Sequence, residues 1–206
     1  MPSIRWLAVC GALWSLAVTA GFAALARYEF TPSTRVAIRG TWPAEVAVAR
    51  DPRRPTLLVF AHPRCPCTRA TIAELERLAP RIRERVEIVA LFLDPEVEPG
   101  WCDTDIWRRA AAIPGVRAER DRKGGLARAF GVTTSGHVLL YDEDGHLAFE
   151  GGITSSRAHE GDNEGSRAIR DWVAAHGEHD VATRSTPVFG CGLGTCASEP
   201  AGGGDR

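Results

Sequence analysis

The hydrophobic positions of the chain form one long N-terminal run and several shorter runs separated by polar segments. The first run, residues 6–26, contains no charged side chain. About 20 apolar residues cross the hydrocarbon core of a bilayer, so this run predicts one membrane-spanning helix. A cleaved signal peptide is the alternative, because Ala24-Leu25-Ala26 has the small-x-small form of a cleavage site. The apolar region of a signal peptide is usually about 7–15 residues long, so the length of the run favours an uncleaved anchor.

Shorter patterns in the rest of the chain alternate between strand-like and helix-like periods. The segment "PTLLVFAH" is an apolar run of strand length, and apolar residues from Ile72 to Ile82 then recur every three or four positions, as in an amphipathic helix. "VEIVALFLD" is almost continuously apolar, which is typical of a parallel strand covered on both faces. "WCDTDIWRRAAAI" and "GGLARAFG" indicate two further helices, and "HVLLYDEDGHLAFEG" indicates a hairpin that turns at Asp142–Gly145.

The element order β-α-β-α-α-β-β-α predicts an α/β domain with a central mixed β-sheet flanked by helices. The last helix ends at Gly177, since glycine is common just after a helix end. Its apolar face comprises Ile169, Trp172, Val173 and His176. We divide the chain into an anchor or signal segment (residues 1–27), a linker rich in Arg, Pro and Thr (28–51), the α/β domain (52–180) and a flexible tail containing Cys and Gly (181–206).

Composition limits the partners of the protein. The 206 residues have a mass of 22.3 kDa and carry 25 basic and 26 acidic side chains, for a net charge of −1. This balance gives no reason to expect nucleic acid as a partner. Only Arg5 precedes the apolar run, whereas Arg27, Arg35 and Arg39 follow it. The positive-inside rule therefore does not favour export of the C-terminal part.

Cys65 and Cys67 stand where the predicted strand ends and the predicted helix begins. A cysteine at this point faces the unpaired N–H groups of the first helical turn, which favour the thiolate over the thiol. A thiolate is a nucleophile toward disulfides and a ligand for soft metals, and a second cysteine can resolve the mixed disulfide formed at the first. The two residues therefore predict either a redox pair or a metal site. Two unreactive cysteines at the start of a helix are the alternative.

Two segments resemble the thioredoxin-fold proteins, over roughly residues 52–178. In "LLVFAHPRCPC" the strand ends at Phe60, five residues before Cys65, which is the separation typical of that family. The segment "DRKGGLARAFGVTTSGHVLLYDEDGHLAFEGG" follows the pattern D-x-x-G-x-x-A-x-x-F/Y-G-V of thioredoxin-like and peroxiredoxin-like domains, then a hairpin with D-x-x-G in its turn. The matching residues are Asp121, Gly124, Ala127, Phe130, Gly131, Val132, Asp142 and Gly145. Three segments are similar to the membrane-anchored, RedB-like thioredoxin-fold proteins of bacteria: "HPRCPC", "TSGHVLLYD" and "TPVFGC". The similarity to exported thioredoxin-like reductases of the TlpA type is looser.

This resemblance implies a thioredoxin-like fold behind one N-terminal transmembrane helix. It implies a single-pass protein of the bacterial inner membrane, with its soluble domain in the periplasm. The implied activity is thiol–disulfide exchange on exported proteins through a redox-active CxC pair, in which Cys65 attacks and Cys67 resolves. The implied partners are exported thiol-containing proteins or a membrane electron donor, and no cofactor is implied.

Two features depart from the family pattern and mark candidate active-site residues. The pair is CxC rather than CxxC, so its disulfide ring is smaller. Strained disulfides are easier to reduce, which predicts an oxidising, isomerase-like pair. Alignment through "VLLYD" puts Gly136 where the family carries a cis-proline, and His137 follows it. The imidazole of His137 either stabilises a Cys65 thiolate, completes a Cys/Cys/His site for Cu(I) or Zn(II), or only begins an exposed strand.

The other cysteines and one histidine carry alternative interpretations. Cys191 and Cys196 lie on the tail segment "TPVFGCGLGTC". They form either a second redox pair that passes disulfides to the CxC pair, additional metal ligands, or a local disulfide that fastens the tail. The family-like "VFGC" favours Cys191 as the partner. Cys102 is expected to be structural, and His62 either tunes the pKa of Cys65 or is solvated.

A second class of function is a non-enzymatic copper chaperone resembling the Sco-type proteins. Such a protein would bind Cu(I) through Cys65, Cys67 and His137, although the Sco-type proteins use a longer CxxxC spacing. A peroxiredoxin-like peroxidase is a third class. The P-x-x-x-T/S-x-x-C pattern of its nucleophile is absent upstream of Cys65.

Overall fold

The computed structural model describes residues 4–46, 48–175 and 183–194. The chain divides into a unit that ends at Thr31 and a unit that begins at Pro32. The first unit is one helix, α1 (Ile4–Phe30), whose most apolar window has a mean hydropathy of 1.8 and exposed side chains. By length and composition α1 is able to cross a membrane, as the sequence predicts, and a signal sequence has the same properties.

One β-sheet organises the second unit. Its elements are β1 (Thr56–Ala61), α2 (Pro66–Ile82), β2 (Glu87–Asp94), α3 (Asp105–Ala111), β3 (Val116–Arg122), α4 (Gly125–Phe130), β4 (His137–Tyr141), β5 (Leu147–Gly152), α5 (Glu164–Ala175) and β6 (Arg184–Ser185). The strand order is β3-β2-β1-β4-β5-β6. β1, β2 and β3 run parallel, whereas β4 is antiparallel to β1 and β5. A β-α-β half followed by an antiparallel hairpin and a final helix is the thioredoxin-like arrangement, so the predicted fold class is confirmed.

β3 is the strand that the sequence analysis missed. Its residues, VRAERDR, lie at the edge of the sheet, and Asp121 is the one fully buried residue among them. An edge strand of charged residues carries no apolar alternation for a pattern search to find. Backbone pairing with β2, from Ile88 to Asp94, holds it in place.

Apolar side chains cover both faces of the sheet, so the central strand β1 is buried along its whole length. Leu57 and Val59 pack in one cluster with α2 and α5, whereas Leu58 and Phe60 pack in a second cluster with α4. Full burial of each such side chain contributes about 1.5–3 kcal/mol. The two clusters therefore fix β1, and with it the position of the residues that follow Ala61.

Residues 32–46 pack on the second face of the sheet. The ring of Trp42 meets those of Phe130 and Tyr141 edge-on, with centroid distances of 5.1 and 5.4 Å. The Tyr141 hydroxyl donates a hydrogen bond to the carbonyl of Arg39 at 2.7 Å. This segment is predicted to be a linker because it has little periodicity, but its scattered apolar residues Ile38, Trp42 and Val46 pack against the second cluster.

Residues 183–194, which we call the C-terminal strap, lie along β5 and the loop before β4. β6 pairs with β5, and the amide of Gly152 donates to the carbonyl of Pro187 at 3.2 Å. A Cβ atom on Gly190 would overlap the carbonyl oxygen of Ser135. Glycine at this position therefore allows the strap to approach the loop closely.

The strap differs from the flexible tail that the sequence predicts over residues 181–206. Glycine content alone predicts mobility, whereas Gly190 allows close backbone contact with Ser135. Residues 195–206, which include Cys196, lie outside the described residues, as does the predicted helix end at His176 and Gly177.

Candidate active site

Cys65 lies at the junction between β1 and α2. It is the N-cap of α2, with an extended backbone (φ −109°, ψ 129°), and Pro66 is the first helical residue. Proline at this position loses no helical hydrogen bond, and its fixed φ favours the start of a helix. The Cys65 amide donates to the carbonyl of His62 at 3.2 Å, which closes the turn after β1. The sulfur is thereby held at the first helical turn, where the N–H groups have no helical partner.

The structure brings Cys65 and Cys67 together with Cys191 of the C-terminal strap. The sulfurs of Cys65 and Cys191 are 2.7 Å apart, and the sulfurs of all three residues lie within 4.8 Å of one another. Cys65 is 2% exposed and Cys67 is 5% exposed, whereas Cys191 is only partly buried. The tail cysteine that the sequence favours as a partner therefore reaches the site.

Hydrogen bonds shift the pKa values of Cys65 and Cys67 in opposite directions. The Cys67 thiol donates to the Cys65 sulfur, and this contact is the largest of those that lower the pKa of Cys65 to about 4. Cys191, the backbone N–H of Thr68 and the Ser135 hydroxyl also lower it, while burial opposes them. The same hydrogen bond, together with burial, raises the pKa of Cys67. Cys65 is therefore the thiolate of the pair and Cys67 remains a thiol.

Ser135 is a site residue that the sequence analysis missed. Its hydroxyl oxygen lies 3.6 Å from the Cys65 sulfur and accepts a hydrogen bond from the Cys191 amide at 3.1 Å. Its own amide donates to the Cys191 carbonyl at 2.8 Å. Ser135 thus contacts Cys65 and Cys191 at once. Its position directly before Gly136 is the one signal in the sequence that could have indicated it.

Gly136 fastens the same loop to the end of β1. Its amide donates to the carbonyl of Phe60 at 2.7 Å, a hydrogen bond that proline cannot make. Its φ of +81° is in the left-handed region, and a Cβ atom there would lie 3.0 Å from Thr71 Oγ1. The described residues contain no cis peptide bond. Gly136 therefore joins the loop that carries Ser135 to the end of β1, and it does so through its backbone.

His137 is not brought to the thiols. Val138 and Leu140 of β4 pack in the cluster that contains α2, whereas Leu139 and Tyr141 pack in the other. Because side chains alternate along a strand, His137 shares the face of Leu139, away from α2. It lines a separate cleft, and its buried Nε2 has no hydrogen-bond partner in the part of the chain that the structure describes. Burial lowers its pKa to about 4.

His62 supports the turn before Cys65. Its amide donates to Thr68 Oγ1 at 3.1 Å, and its Nδ1 accepts a hydrogen bond from the Arg64 amide at 3.1 Å. Burial lowers the pKa of His62, and the negative charge at Cys65 acts in the opposite direction. The buried imidazole differs from the solvated one that the sequence analysis considered.

A cleft of about 290 Å³ opens beside Cys65, between the start of α2 and the start of α3. The guanidinium of Arg64 lies 3.8 Å from the ring centroid of Trp101. Arg69 forms an ion pair with Asp105 at 2.5 Å across the cleft. The cleft offers polar and basic groups next to the nucleophile, and no motif in the sequence indicates it.

Cys102 lies apart from the three-thiol group. It is fully buried, and its thiol donates to the carbonyl of Leu93 at 3.5 Å. Burial raises the pKa of Cys102 to about 11, so its sulfur stays protonated. These properties agree with the structural role expected from the sequence.

Comparisons with known proteins support the fold. No protein-family model matches the chain, and no curated protein sequence matches it. A hypothetical protein from Sinorhizobium meliloti has a similar structure, with a TM-score of 0.62 and 22% identity over 80% of this chain and 97% of that one. An uncharacterized conserved protein from Geobacillus kaustophilus has a TM-score of 0.58 and 20% identity over 80% of this chain and 92% of that one. At these identities the likeness shows a shared fold alone.

A more distant likeness involves a secreted disulfide oxidoreductase from Mycobacterium tuberculosis. It has a TM-score of 0.41 and 17% identity over 59% of this chain and 81% of that one. A score at this level carries no argument about activity. The chemistry of the present chain therefore rests on its own thiols.

Proposed function

We propose that the protein is a membrane-anchored thiol–disulfide oxidoreductase that uses Cys65 and Cys67 on exported proteins. One observation carries the proposal: the Cys65 sulfur lies at the start of α2, with its pKa lowered to about 4, within 4.8 Å of two other thiol sulfurs. A stabilised thiolate supplies the nucleophile for exchange, and a neighbouring thiol supplies the group that completes it.

The exchange proceeds in two displacements. The Cys65 thiolate attacks one sulfur of a substrate disulfide, so that a mixed disulfide forms and the other substrate sulfur leaves as a thiolate. A second thiol of the chain gives its proton to solvent, attacks the Cys65 sulfur and expels the remaining substrate sulfur. The substrate gains two electrons and the chain's dithiol loses them. The reverse sequence transfers a disulfide to a substrate dithiol.

The electrostatics of Cys65 favour the oxidising direction. Hydrogen bonds that stabilise the Cys65 thiolate stabilise the reduced chain, which makes its disulfide a stronger oxidant. This effect has the same sign as the one expected from the small CxC ring. An exported protein with two free thiols is the substrate class that such a site would oxidise, and a membrane redox partner would restore the disulfide.

Two observations, α1 and the sequence resemblance, support a location at the bacterial inner membrane. An uncleaved α1 would tether the second unit to the bacterial inner membrane, with the thiols in the periplasm, where disulfides persist. Assignment to the RedB-like branch rests on "HPRCPC", "TSGHVLLYD" and "TPVFGC". No cofactor is needed for the exchange steps.

The second candidate is Sco-like binding of Cu(I), and the grouping of three sulfurs within 4.8 Å favours it. Soft thiolate ligands select Cu(I). Cys65 and Cys67 belong to the ligand set expected from the sequence, but His137 points to the other face of the sheet. Cys191 would therefore be the third ligand in place of His137.

Full-length protein in detergent micelles separates the two functions. Exchange with a peptide that contains one disulfide is followed alongside a Cu(I) titration against a competing chelator. The variants are Cys65→Ser and Cys67→Ser, with Cys10→Ala as the matched control outside the site. Exchange that is lost in Cys65→Ser and kept in Cys10→Ala, with weak Cu(I) binding, supports the oxidoreductase. Tight one-to-one Cu(I) binding without exchange would refute it.

A further inference from the structure

We propose that Cys191, rather than Cys67, is the thiol that closes the disulfide with Cys65, and that the docked C-terminal strap delivers it there. The inference rests on the proposed function and adds the identity of the resolving group.

The strap delivers Cys191 to Cys65 through specific backbone contacts. The amide of Ser135 donates to the Cys191 carbonyl at 2.8 Å, and the amide of Leu193 donates to the Thr133 carbonyl at 2.8 Å. Arg157 donates to the carbonyl of Gly190 at 2.8 Å. These contacts lie on both sides of Cys191, so its sulfur is positioned 2.7 Å from that of Cys65 by a docked segment of chain.

Two buried apolar side chains anchor the segment around Cys191. Phe189 is 7% exposed and Leu193 is 8% exposed. They stand two residues before and two residues after Cys191, and Leu193 packs in the second apolar cluster. A cysteine that merely lay on a loose tail would not be bracketed in this way.

Cys67 is engaged in a different task. Its thiol donates a hydrogen bond to the Cys65 sulfur, while its own sulfur accepts one from the backbone N–H of Ala158. It is buried in the first turn of α2, where helical geometry fixes it. Cys67 and Cys191 both donate to the Cys65 sulfur, but the Cys67 contact is the larger, and together with burial it raises the pKa of Cys67, so Cys67 gives up its proton less readily. Cys191 is partly exposed, which lets its proton pass to solvent.

Burial of the nucleophile requires movement of the strap during turnover. Cys65 is 2% exposed with the strap docked and the cysteines free, so a protein substrate reaches the sulfur when residues around Cys191 lift. The hydrogen bonds and the two apolar anchors then return Cys191 to Cys65.

The resolving step is balanced within the chain and the substrate. With the strap lifted, the Cys65 thiolate forms a bond to one substrate sulfur and releases the other as a thiolate. The strap then returns, and the Cys191 thiolate bonds to the Cys65 sulfur while the Cys65–substrate bond breaks. Cys65 and Cys191 lose two electrons and the substrate disulfide gains them. The two substrate thiolates take protons from solvent.

The test traps the mixed disulfide. Reduced full-length protein in micelles is mixed with a large molar excess of a peptide that contains one disulfide, so that mass action drives the exchange. The mixture is quenched with acid, alkylated and mapped by mass spectrometry. Wild type should yield a Cys65–Cys191 disulfide. Cys67→Ala should react more slowly but yield the same disulfide, whereas Cys191→Ala should accumulate at least about tenfold more Cys65–peptide adduct, because the second displacement is lost. A Cys65–Cys67 product in wild type, with accumulation in Cys67→Ala alone, would overturn the inference.

A second pair of variants tests the strap while keeping every cysteine. Gly190→Ala puts a Cβ atom into the Ser135 carbonyl, whereas Gly194→Ala meets nothing within 4 Å. Gly190→Ala should accumulate the Cys65–peptide adduct as Cys191→Ala does, and Gly194→Ala should behave as wild type. Equal behaviour of the two glycine variants would contradict the role of docking.

The outcomes separate this inference from the proposed function. If no peptide adduct or intrachain disulfide depends on Cys65, the oxidoreductase proposal itself fails. If exchange depends on Cys65 but closes through Cys67, only the role of Cys191 fails.

Discussion

Removal of the Cys67 thiol should raise the pKa of Cys65 by about one to two units. The Cys67 hydrogen bond is the largest of the contacts that lower the pKa of Cys65 to about 4. A hydrogen bond to a charged group contributes about 1.5–3 kcal/mol, and one pKa unit corresponds to about 1.4 kcal/mol. In Cys67→Ala the pKa of Cys65 should therefore move to about 5–6.

Thiolate absorbance in the ultraviolet measures this shift directly. The titration of reduced protein is compared with that of the same protein carrying Cys65→Ser, so that the difference isolates Cys65. Cys191→Ala and Ser135→Ala should raise the pKa of Cys65 by less than Cys67→Ala does, in that order, because their hydrogen bonds contribute less. Cys10→Ala is the matched control and should leave it unchanged. An unchanged titration in Cys67→Ala, or a wild-type Cys65 that titrates at the ordinary value for a cysteine, would refute the reasoning.

Two further predictions concern residues around the site. Gly136→Ala should lower the free energy of unfolding by about 1–2 kcal/mol, because an alanine at a φ of +81° is strained and its Cβ would approach Thr71 Oγ1 at 3.0 Å. Urea denaturation measures this change. In the control variant Gly125→Ala the new Cβ meets nothing within 4 Å, so the free energy of unfolding should change by less than about 1 kcal/mol. The burial of His137 should make stability fall as the pH drops. Its pKa is about 4 in the folded chain and about 6.5 when unfolded, so the unfolded state binds more protons between these values. Stability should be complete above about pH 6.5 and decrease by up to about 3 kcal/mol toward pH 4. His137→Asn should flatten the dependence of the free energy of unfolding on pH. His159→Asn, at an exposed position, should leave that dependence unchanged. Equal slopes of unfolding free energy against pH in the two variants would contradict the account.

The strand, the cysteine pair and the following helix could be predicted from the sequence because each is a local pattern. An apolar run ending at Phe60, a proline at the helix start and apolar residues from Ile72 onward describe one continuous segment. The hairpin of β4 and β5 could be predicted for the same reason, since its turn and the two apolar segments that flank it are adjacent in the sequence. Local patterns fixed the position of Cys65 at the junction of β1 and α2.

The contacts that complete the site join distant parts of the chain. Cys65 and Cys191 are separated by 126 positions, and no local pattern specifies that they meet. The docking of the strap depends on glycine as a site of close approach, whereas composition alone suggests flexibility. His137 shows the converse case: alignment with the family's proline position predicts an imidazole near the thiols, whereas alternation along β4 puts the side chain on the face away from α2.

Equilibration of the full-length chain with glutathione buffers of graded potential tests the central claim most directly. The fraction of Cys65 in an intrachain disulfide is measured by alkylation and mass spectrometry at each potential. We predict one two-electron transition that is absent in Cys65→Ser, with a midpoint well above the value of about −270 mV typical of thioredoxin. A Cys65 that stays reduced in every buffer would contradict thiol–disulfide exchange as the function. A midpoint as low as that of thioredoxin would contradict the oxidising direction.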